Sequence, residues 1–366
     1  MNSTSTFSMN YLQPPKIPKY WTLAEHFRRE IRTGVLRPGD RLPSLAEMRE
    51  QQGISRPTME KVHQILEQEG LIQRLPGAGT FVLEPKKRTA TGILGVTGFG
   101  FQYSGQSAYW ASLLGGIREG ASVAQMQLLL LDHVSSRGWE KADGILLCDW
   151  SRDETLRHVP AEQPCVSLLV PIAGMASVAI DDRAAMKMAT EYLIGLGHKR
   201  IAYLHGNDHT TLPLRLSGYQ EAMAASGLKT LKKWRRAYIA GNDFGDQFVA
   251  AGKRAMQDWL GKGWSTLGCT ALLCHNDEVA VGAIQAFQEA GVLVPRDVSI
   301  MGFDGLEIGT YVSPQLTTVK LPLREIGINA VEMLMKQIKA DEVSTPHLFC
   351  TAQLRERETT CAPAVS

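Results

Sequence analysis

Near residue 90 the hydrophobic rhythm of this 366-residue chain changes, and that break constrains the fold more than any single motif does. Before it, apolar residues recur at helical spacing in three short segments and then form two very short runs around a glycine-rich turn. After it, apolar runs of four or five residues alternate with segments of helical period. One layered core does not serve both patterns, so a small helical domain with a hairpin is expected to precede a larger α/β domain. The boundaries read as 18–83 for the first domain, 84–91 for a charged linker containing Lys86-Lys87-Arg88, and 92–358 for the second. At roughly 270 residues the second domain exceeds one ordinary core, which predicts two lobes.

Within the first domain, Thr22 is placed to cap a helix whose Leu23, Phe27 and Ile31 share one face, and Gly34 stops it. Ser44 followed by Glu47 has the spacing of a capping box for a second helix. Ser55 opens a third, with Pro57 in the first turn, where its missing N–H costs nothing. Met59, Val62, Ile65 and Leu66 form the buried face, and Gly70 ends the helix. Leu71–Arg74 and Thr80–Val82 read as strands around Pro76-Gly77-Ala78-Gly79. Helix, helix, tight turn, helix and hairpin in about sixty residues make a winged helix-turn-helix.

Such a module reads DNA with the exposed side chains at the start of its third helix. Here those are Arg56, Pro57, Glu60 and Lys61. Arg56 can donate two hydrogen bonds to a guanine edge or grip phosphate, and Lys61 offers a point charge. The caps Ser44 and Ser55 stand at helix starts, whose N–H groups favour phosphate. Arg74 flanks a wing whose Gly77 and Gly79 let the backbone approach a duplex closely. Residues 1–90 hold 14 Lys/Arg against 9 Asp/Glu, whereas the remainder is slightly acidic, so the basic bias sits with this module. The same pattern also suits a protein-binding winged helix with an incidental arginine.

In the second domain, strands are expected at Ile93–Thr97, Leu128–Leu131, Ile145–Cys148, Val166–Leu169, Ile201–Leu204, Ala271–Cys274 and Val298–Gly302. Helices are expected at Ala184–Leu196, Gly218–Ala225, Phe248–Leu260 and Glu278–Ala290. This is the alternation of parallel sheets flanked by helices. Ligands in such folds bind at the carboxyl ends of strands. Those ends bring Arg215, Asn276 and Asp304 forward, a set suited to hydrogen-bonding the hydroxyls of a polyol while an aromatic stacks on its ring. Each has a plainer reading: Asp277 as a helix cap, Asn276 and Asp304 as turn residues, Tyr109 and Trp110 as core.

Two resemblances sharpen these expectations. Gly34 to Ser44 (GVLRPGDRLPS), Gly53-Ile54-Ser55-Arg56, Leu66 to Ile72 and Gly77 to Val82 closely resemble the GntR-family winged helix over Trp21–Val82. The resemblance implies DNA contacts from Arg56 and Thr58 and from Gly77 and Gly79, with Arg41 near phosphate. The chain departs from the family at Ala46 and Glu60, where an arginine is usual, which implies a different operator. Ala179-Ile180-Asp181-Asp182, Leu196 to Ala202, Arg215 to Tyr219, Asn276 to Ala283, Val298 to Asp304 and Pro314 to Val319 resemble the LacI/GalR sensor domain. That resemblance implies a periplasmic-binding-protein-like fold over about Gly92–Arg357. It also implies effector contacts from Arg215, Asn276 and Asp304, and Trp110, beside Tyr109, stacking on the ligand. Between Leu131 and Asp143 the chain is shorter than that family's norm, and the loop Phe99–Ser107 is unusual.

The expected function is a DNA-binding transcription regulator, a repressor released by a sugar-like effector, acting as a homodimer on double-stranded operator DNA. A regulator whose sensor no longer responds, or a solute-binding protein, are the alternatives. An enzyme is not expected: Gly95–Gly105 lacks the dinucleotide spacing, no Walker, HExxH or nucleophile-elbow motif occurs, and His205 and His209 have no third ligand nearby. No cofactor is implied. The six scattered cysteines read as core thiols. No apolar run approaches the ~18 residues of a membrane span, and the polar Met1–Asn10 does not read as a secretory signal, which points to the cytoplasm.

Overall fold

In the computed structural model the chain divides into two compact units, one within the residues up to Thr89 and the other from Ala90 onward. The structure describes residues 19–32, 34–44, 47–49, 53–68, 70–84, 90–98, 107–131, 138–148, 163–172, 174–206, 211–239, 246–340 and 346–364. Ala46, residues 85–89 of the expected linker, 99–106, 132–137 and His209 lie outside this set.

The first unit holds helices α1 (Lys19–Arg32) and α2 (Arg56–Gln68) and an antiparallel hairpin, β1 (Ile72–Leu75) with β2 (Gly79–Val82). Between the helices, residues 47–49 are helical, and the capping box forms as expected. The Ser44 N–H donates to Glu47 Oε2 at 2.5 Å, and the Glu47 N–H donates to Ser44 Oγ at 3.2 Å. The Ser44 N–H, and after it the Ser44 hydroxyl, act on the Glu47 carboxyl and hold it below its ordinary pKa. One expectation is corrected: α1 begins at Lys19, so Thr22 lies inside the helix rather than at its cap. The extra turn lets Tyr20 pack against the core of Leu23, Phe27, Met59, Val62, Leu66 and Ile72. Both strands of the hairpin sit one residue from their expected limits. A bridge between Arg41 and Phe81 and a bond from the Leu42 N–H to the Thr80 carbonyl tie the hairpin to the segment before the second helix.

The second unit contains two six-stranded sheets. The first is parallel throughout: β3 (Ile93–Thr97), β4 (Gln127–Leu131), β5 (Gly144–Leu147), β6 (Cys165–Leu169), β7 (Ala176–Ile180) and β13 (His347–Cys350), in the order β13-β7-β6-β5-β3-β4. The second contains β8 (Ile201–His205), β9 (Arg235–Ala237), β10 (Ala271–Cys274), β11 (Ser299–Asp304), β12 (Thr317–Lys320) and β14 (Gln353–Arg355), in the order β14-β12-β11-β10-β8-β9. Only β14 runs antiparallel among its described pairings. Helices α4 (Asp182–Gly195), α5 (Leu212–Ala225), α6 (Asp246–Gly261) and α7 (Asp277–Glu289) belong with the second sheet, and α3 (Ala108–Val123) and α8 (Leu323–Ala340) with the first. The chain thus leaves the first lobe after β7, returns with α8 and β13, and crosses again to β14.

Helices α3 and α8 meet with almost no gap. A Cβ on Gly116 would lie 2.0 Å from the Arg324 carbonyl oxygen, so only glycine fits there. Where the β4–β5 connection is short, Trp139 is 1 % exposed and packs with Ala142, Ile145, Leu147 and Cys165, a small apolar cluster apart from the main core. The end of the chain is also tied in: the Thr359 hydroxyl donates to the Ile300 carbonyl and the Cys361 N–H to Ser299 Oγ. His198, buried beneath this strap, bonds Thr270 Oγ1 through Nδ1 and faces Ser299 Oγ and the Cys361 carbonyl through Nε2. All six cysteines are free thiols, four of them buried. No described helix is long and apolar enough to cross a membrane.

Candidate nucleic-acid interface and effector site

Between α2 and the hairpin lies a groove of roughly 710 Å³, and it collects seven of the expected DNA-contacting residues: Arg41, Ser44, Arg56, Glu60, Arg74, Gly77 and Gly79. Ser55, Pro57, Thr58 and Lys61 occupy the same end of α2, outside the groove lining, with Ser55, Pro57 and Lys61 exposed. The Ser55 hydroxyl meets Thr58 Oγ1 at 2.8 Å, and its carbonyl accepts from the Met59 N–H, so Ser55 does open the helix. Lys61 donates to Gln64 Oε1 at 3.3 Å.

Two of the groove's arginines are paired but wet. Arg56 Nε donates to Glu60 Oε1 at 2.8 Å while the Arg56 side chain stays 78 % exposed. Arg74 Nε lies 3.0 Å from Glu67 Oε2, with both side chains more than a third exposed. Ion pairs this exposed contribute between nothing and about 1 kcal/mol, so a phosphate or a base edge can displace them. The wing glycines serve different ends. Gly77 adopts φ +76°, which the tight turn demands. At Gly79, φ +120°, a Cβ would come within 2.8 Å of Arg41 Nε, so glycine clears space for the arginine. Sequence reasoning missed His63, which lines the groove at 6 % exposure. Burial, then Arg74, lowers its pKa. Its position seven residues after Arg56 put it on the same helical face, the signal that was available.

The second site is dry. Arg215 stands in the first turn of α5 at 6 % exposure. Its Nε donates to Asp182 Oδ1 at 2.6 Å and its Nη1 to the His275 carbonyl at 2.7 Å. The guanidinium lies 3.9 Å from the centre of the Phe303 ring. These contacts use two of its five donors and fix its plane. Burial alone would lower its pKa, but the carboxylates of Asp182 and Asp304 outweigh that and raise it. Asp304, 7 % exposed, has its own pKa pushed well up by burial, with Arg215 pulling back. Its backbone holds φ +118°, a region costing a non-glycine residue about 1–3 kcal/mol.

Tyr109, on α3, lies near enough to this cluster for its charges to act on the phenol. Burial and then the charge of Asp304 raise its pKa well above the ordinary value, with Arg215 and Asp182 also acting on it. Trp110, beside it, is 4 % exposed within the main core, with its ring edge-on to Tyr109 at 5.4 Å. Helix geometry explains the split, because adjacent residues face directions about 100° apart.

The expected cap is also corrected. Asn276, not Asp277, caps α7: its Oδ1 accepts from the Val279 N–H at 2.8 Å, which leaves its amide nitrogen as the group to offer a ligand. Asp277 is instead wholly buried beneath the Asp304 turn. Asp182 and Phe303 were missed as site residues. The doublet Asp181-Asp182 held a signal, since one carboxylate caps α4 through the Ala184 N–H and leaves the next for another partner. Among the described residues no group of three or more His, Cys, Asp or Glu is disposed to hold a metal ion.

Comparison with known proteins agrees with both halves of this description. Residues 19–82 match the family model of bacterial regulatory proteins of the gntR family. Residues 190–360 match the periplasmic binding protein-like domain. The chain is 30 % identical over 217 residues to the HTH-type transcriptional repressor PurR of Vibrio vulnificus, an alignment covering 58 % of this chain and 62 % of that one. It is 37 % identical over 175 residues to the HTH-type transcriptional regulator GalR of Escherichia coli, covering 46 % and 47 %. The chain therefore spans between about half and three-fifths of the length of these relatives. The crystal structure of a LacI family transcriptional regulator from Mycobacterium smegmatis superposes with a TM-score of 0.62 at 31 % identity, covering 74 % of this chain and all of that one. By its domains, the chain belongs among the LacI/GalR-type regulators in its periplasmic-binding-protein-like part and carries ahead of it a winged helix of the GntR family.

Proposed function

We propose that the chain is a transcription regulator that binds operator DNA through the α2–wing groove and answers to a small, polar, sugar-like effector held at Arg215. The observation that carries this is the groove itself, with three arginines, two wing glycines and a capped helix start converging on one open surface. Repression relieved by effector is the expected sign. The reading includes a homodimer on a two-fold operator, a cytoplasmic location, and no catalytic activity or cofactor. The domain limits 18–83, 84–91 and 92–358 are retained as its working boundaries.

The effector class follows from charge and shape. Arg215 is neutralised by Asp182 with Asp304 close by, while Tyr109 offers a ring and Asn276 an amide. Directional donors and acceptors without surplus positive charge suit hydroxyls better than phosphate or carboxylate. The test begins with duplexes selected from a random pool by the full-length protein. Selection of a palindromic site, lost in Arg56→Ala with the fold intact, supports the reading. Failure to enrich any sequence would count against it.

A further inference from the structure

Asp277 makes no contact expected of an effector ligand, yet it is buried completely. Its carboxylate is fully engaged. Oδ2 accepts from the Leu306 N–H at 2.6 Å, Oδ1 accepts from the Thr318 hydroxyl at 2.5 Å, and the Gly305 N–H also donates to it. Two of these three donors are the backbone groups directly after Asp304. That segment is unusual: Asp304 at φ +118° and Gly305 at φ +76° turn the chain sharply as it leaves β11.

Other residues make room for this bond set or complete it. A Cβ on Gly302 would fall 2.2 Å from Asp277 Oδ1, so glycine in β11 opens the carboxylate's path. A Cβ on Gly305 would fall 2.6 Å from Lys320 Cα. The Asp304 carbonyl accepts from the Leu321 N–H at 3.0 Å, which holds the turn from the β12 side. A strained aspartate persists only where its surroundings over-determine it. Here the fixed points are Leu321 on one side and the Asp277 carboxylate on the other.

We infer that Asp277 is a positioning residue: anchored at the start of α7, it holds the Gly305–Leu306 amides so that Asp304 keeps the left-handed backbone presenting its carboxylate to Arg215 and the effector. The inference rests on the effector-site reading for its purpose but on backbone geometry for its substance. It assigns Asp277 a role different from a helix cap, since Asn276 fills that place, and different from a ligand contact. Asparagine at this position retains an oxygen for the two amides and gives Thr318 an N–H to accept. Alanine retains nothing.

Amide hydrogen exchange on the full-length chain tests this without any ligand. In Asp277→Ala the amides of Gly305, Leu306 and Leu321 exchange about tenfold faster, the size expected for one lost hydrogen bond, while those of β8 and β10 are unchanged. Asp277→Asn restores most of the protection. Unchanged exchange at Leu306 and Leu321 in the alanine variant would overturn the inference. So would an equal loss throughout the second sheet, which marks a general stabilising role, or failure of asparagine to rescue. A parallel thermal-shift series with D-galactose, D-glucose and D-ribose on wild type and Asp304→Ala reports separately on the effector-site reading, so either can fail alone.

Discussion

Arginine does opposite work in the two units. Arg56 is 78 % exposed and leans on Glu60 across one turn of helix. The Arg215 side chain is 7 % exposed and locked to Asp182 and a carbonyl. The first arrangement costs little to form and little to break, which suits a surface that must exchange water and ions for a polyanion. The second cannot be broken cheaply, because a guanidinium left unpaired in a dry site has lost its hydration and gained nothing. On the proposed reading, the charge that meets DNA is kept wet and adaptable, and the one that orients a small ligand is fixed in advance.

The contrast is broken most severely at Arg215. Arg215→Ala leaves Asp182 buried and unpaired beside Asp304, and a loss of about 3–5 kcal/mol in unfolding free energy is expected, read by urea titration, together with loss of any sugar-induced thermal shift. A loss below 1 kcal/mol would show that the pair is not buried in solution. Arg56→Ala is expected to leave stability within about 0.5 kcal/mol but to weaken operator binding tenfold or more, and to reduce the magnitude of the salt slope by about 0.9 if it meets a phosphate. An unchanged slope with relaxed sequence preference would assign it to a base edge instead. Glu60→Gln releases Arg56 and removes one negative charge facing the DNA. Binding to non-specific duplex should tighten by a few-fold at low salt, with almost no change in stability.

The smallest effect is a pH dependence at His198. Burial lowers its pKa in the folded chain, with the Cys361 carbonyl opposing, so folding favours the neutral ring. Its contribution is present above the unfolded value of about 6.5 and is lost as pH falls through that value toward the lower folded one. Melting curves at about pH 7.5 and 5.5 should therefore show a smaller acid-induced drop in His198→Gln than in wild type, a difference of a few degrees at most. Equal drops would mean the ring is not held neutral.

How legible each region was follows from what its residues signal. The winged helix announced itself because caps, Pro57 and turn glycines have local causes, and the Ser44–Glu47 box formed as its spacing required. The hydrophobic strands Ile93–Thr97 and Ala271–Cys274 were legible to the residue. Strand β7, Ala-Ser-Val-Ala-Ile, was not, because alanine and serine carry little apolar signal even when wholly buried. Helix α8 was missed although it completes the first lobe, since its place beside α3 depends on Gly116 meeting a backbone more than two hundred residues away. The same holds at the effector site. Arg215 and Asp304 stood out by motif, but the partner that fixes Arg215 and the brace beneath Asp304 are products of long-range packing.

The most direct test is operator binding by the full-length protein, followed by fluorescence anisotropy at one fixed salt concentration, with and without a sugar that stabilises it. The sugar is expected to change operator affinity at least about fivefold, the lower end of ordinary allosteric coupling, and the change to vanish in Arg215→Ala, while Arg56→Ala weakens DNA binding itself. Superimposable binding curves, measured with a sugar shown to bind at Arg215, would contradict this expectation.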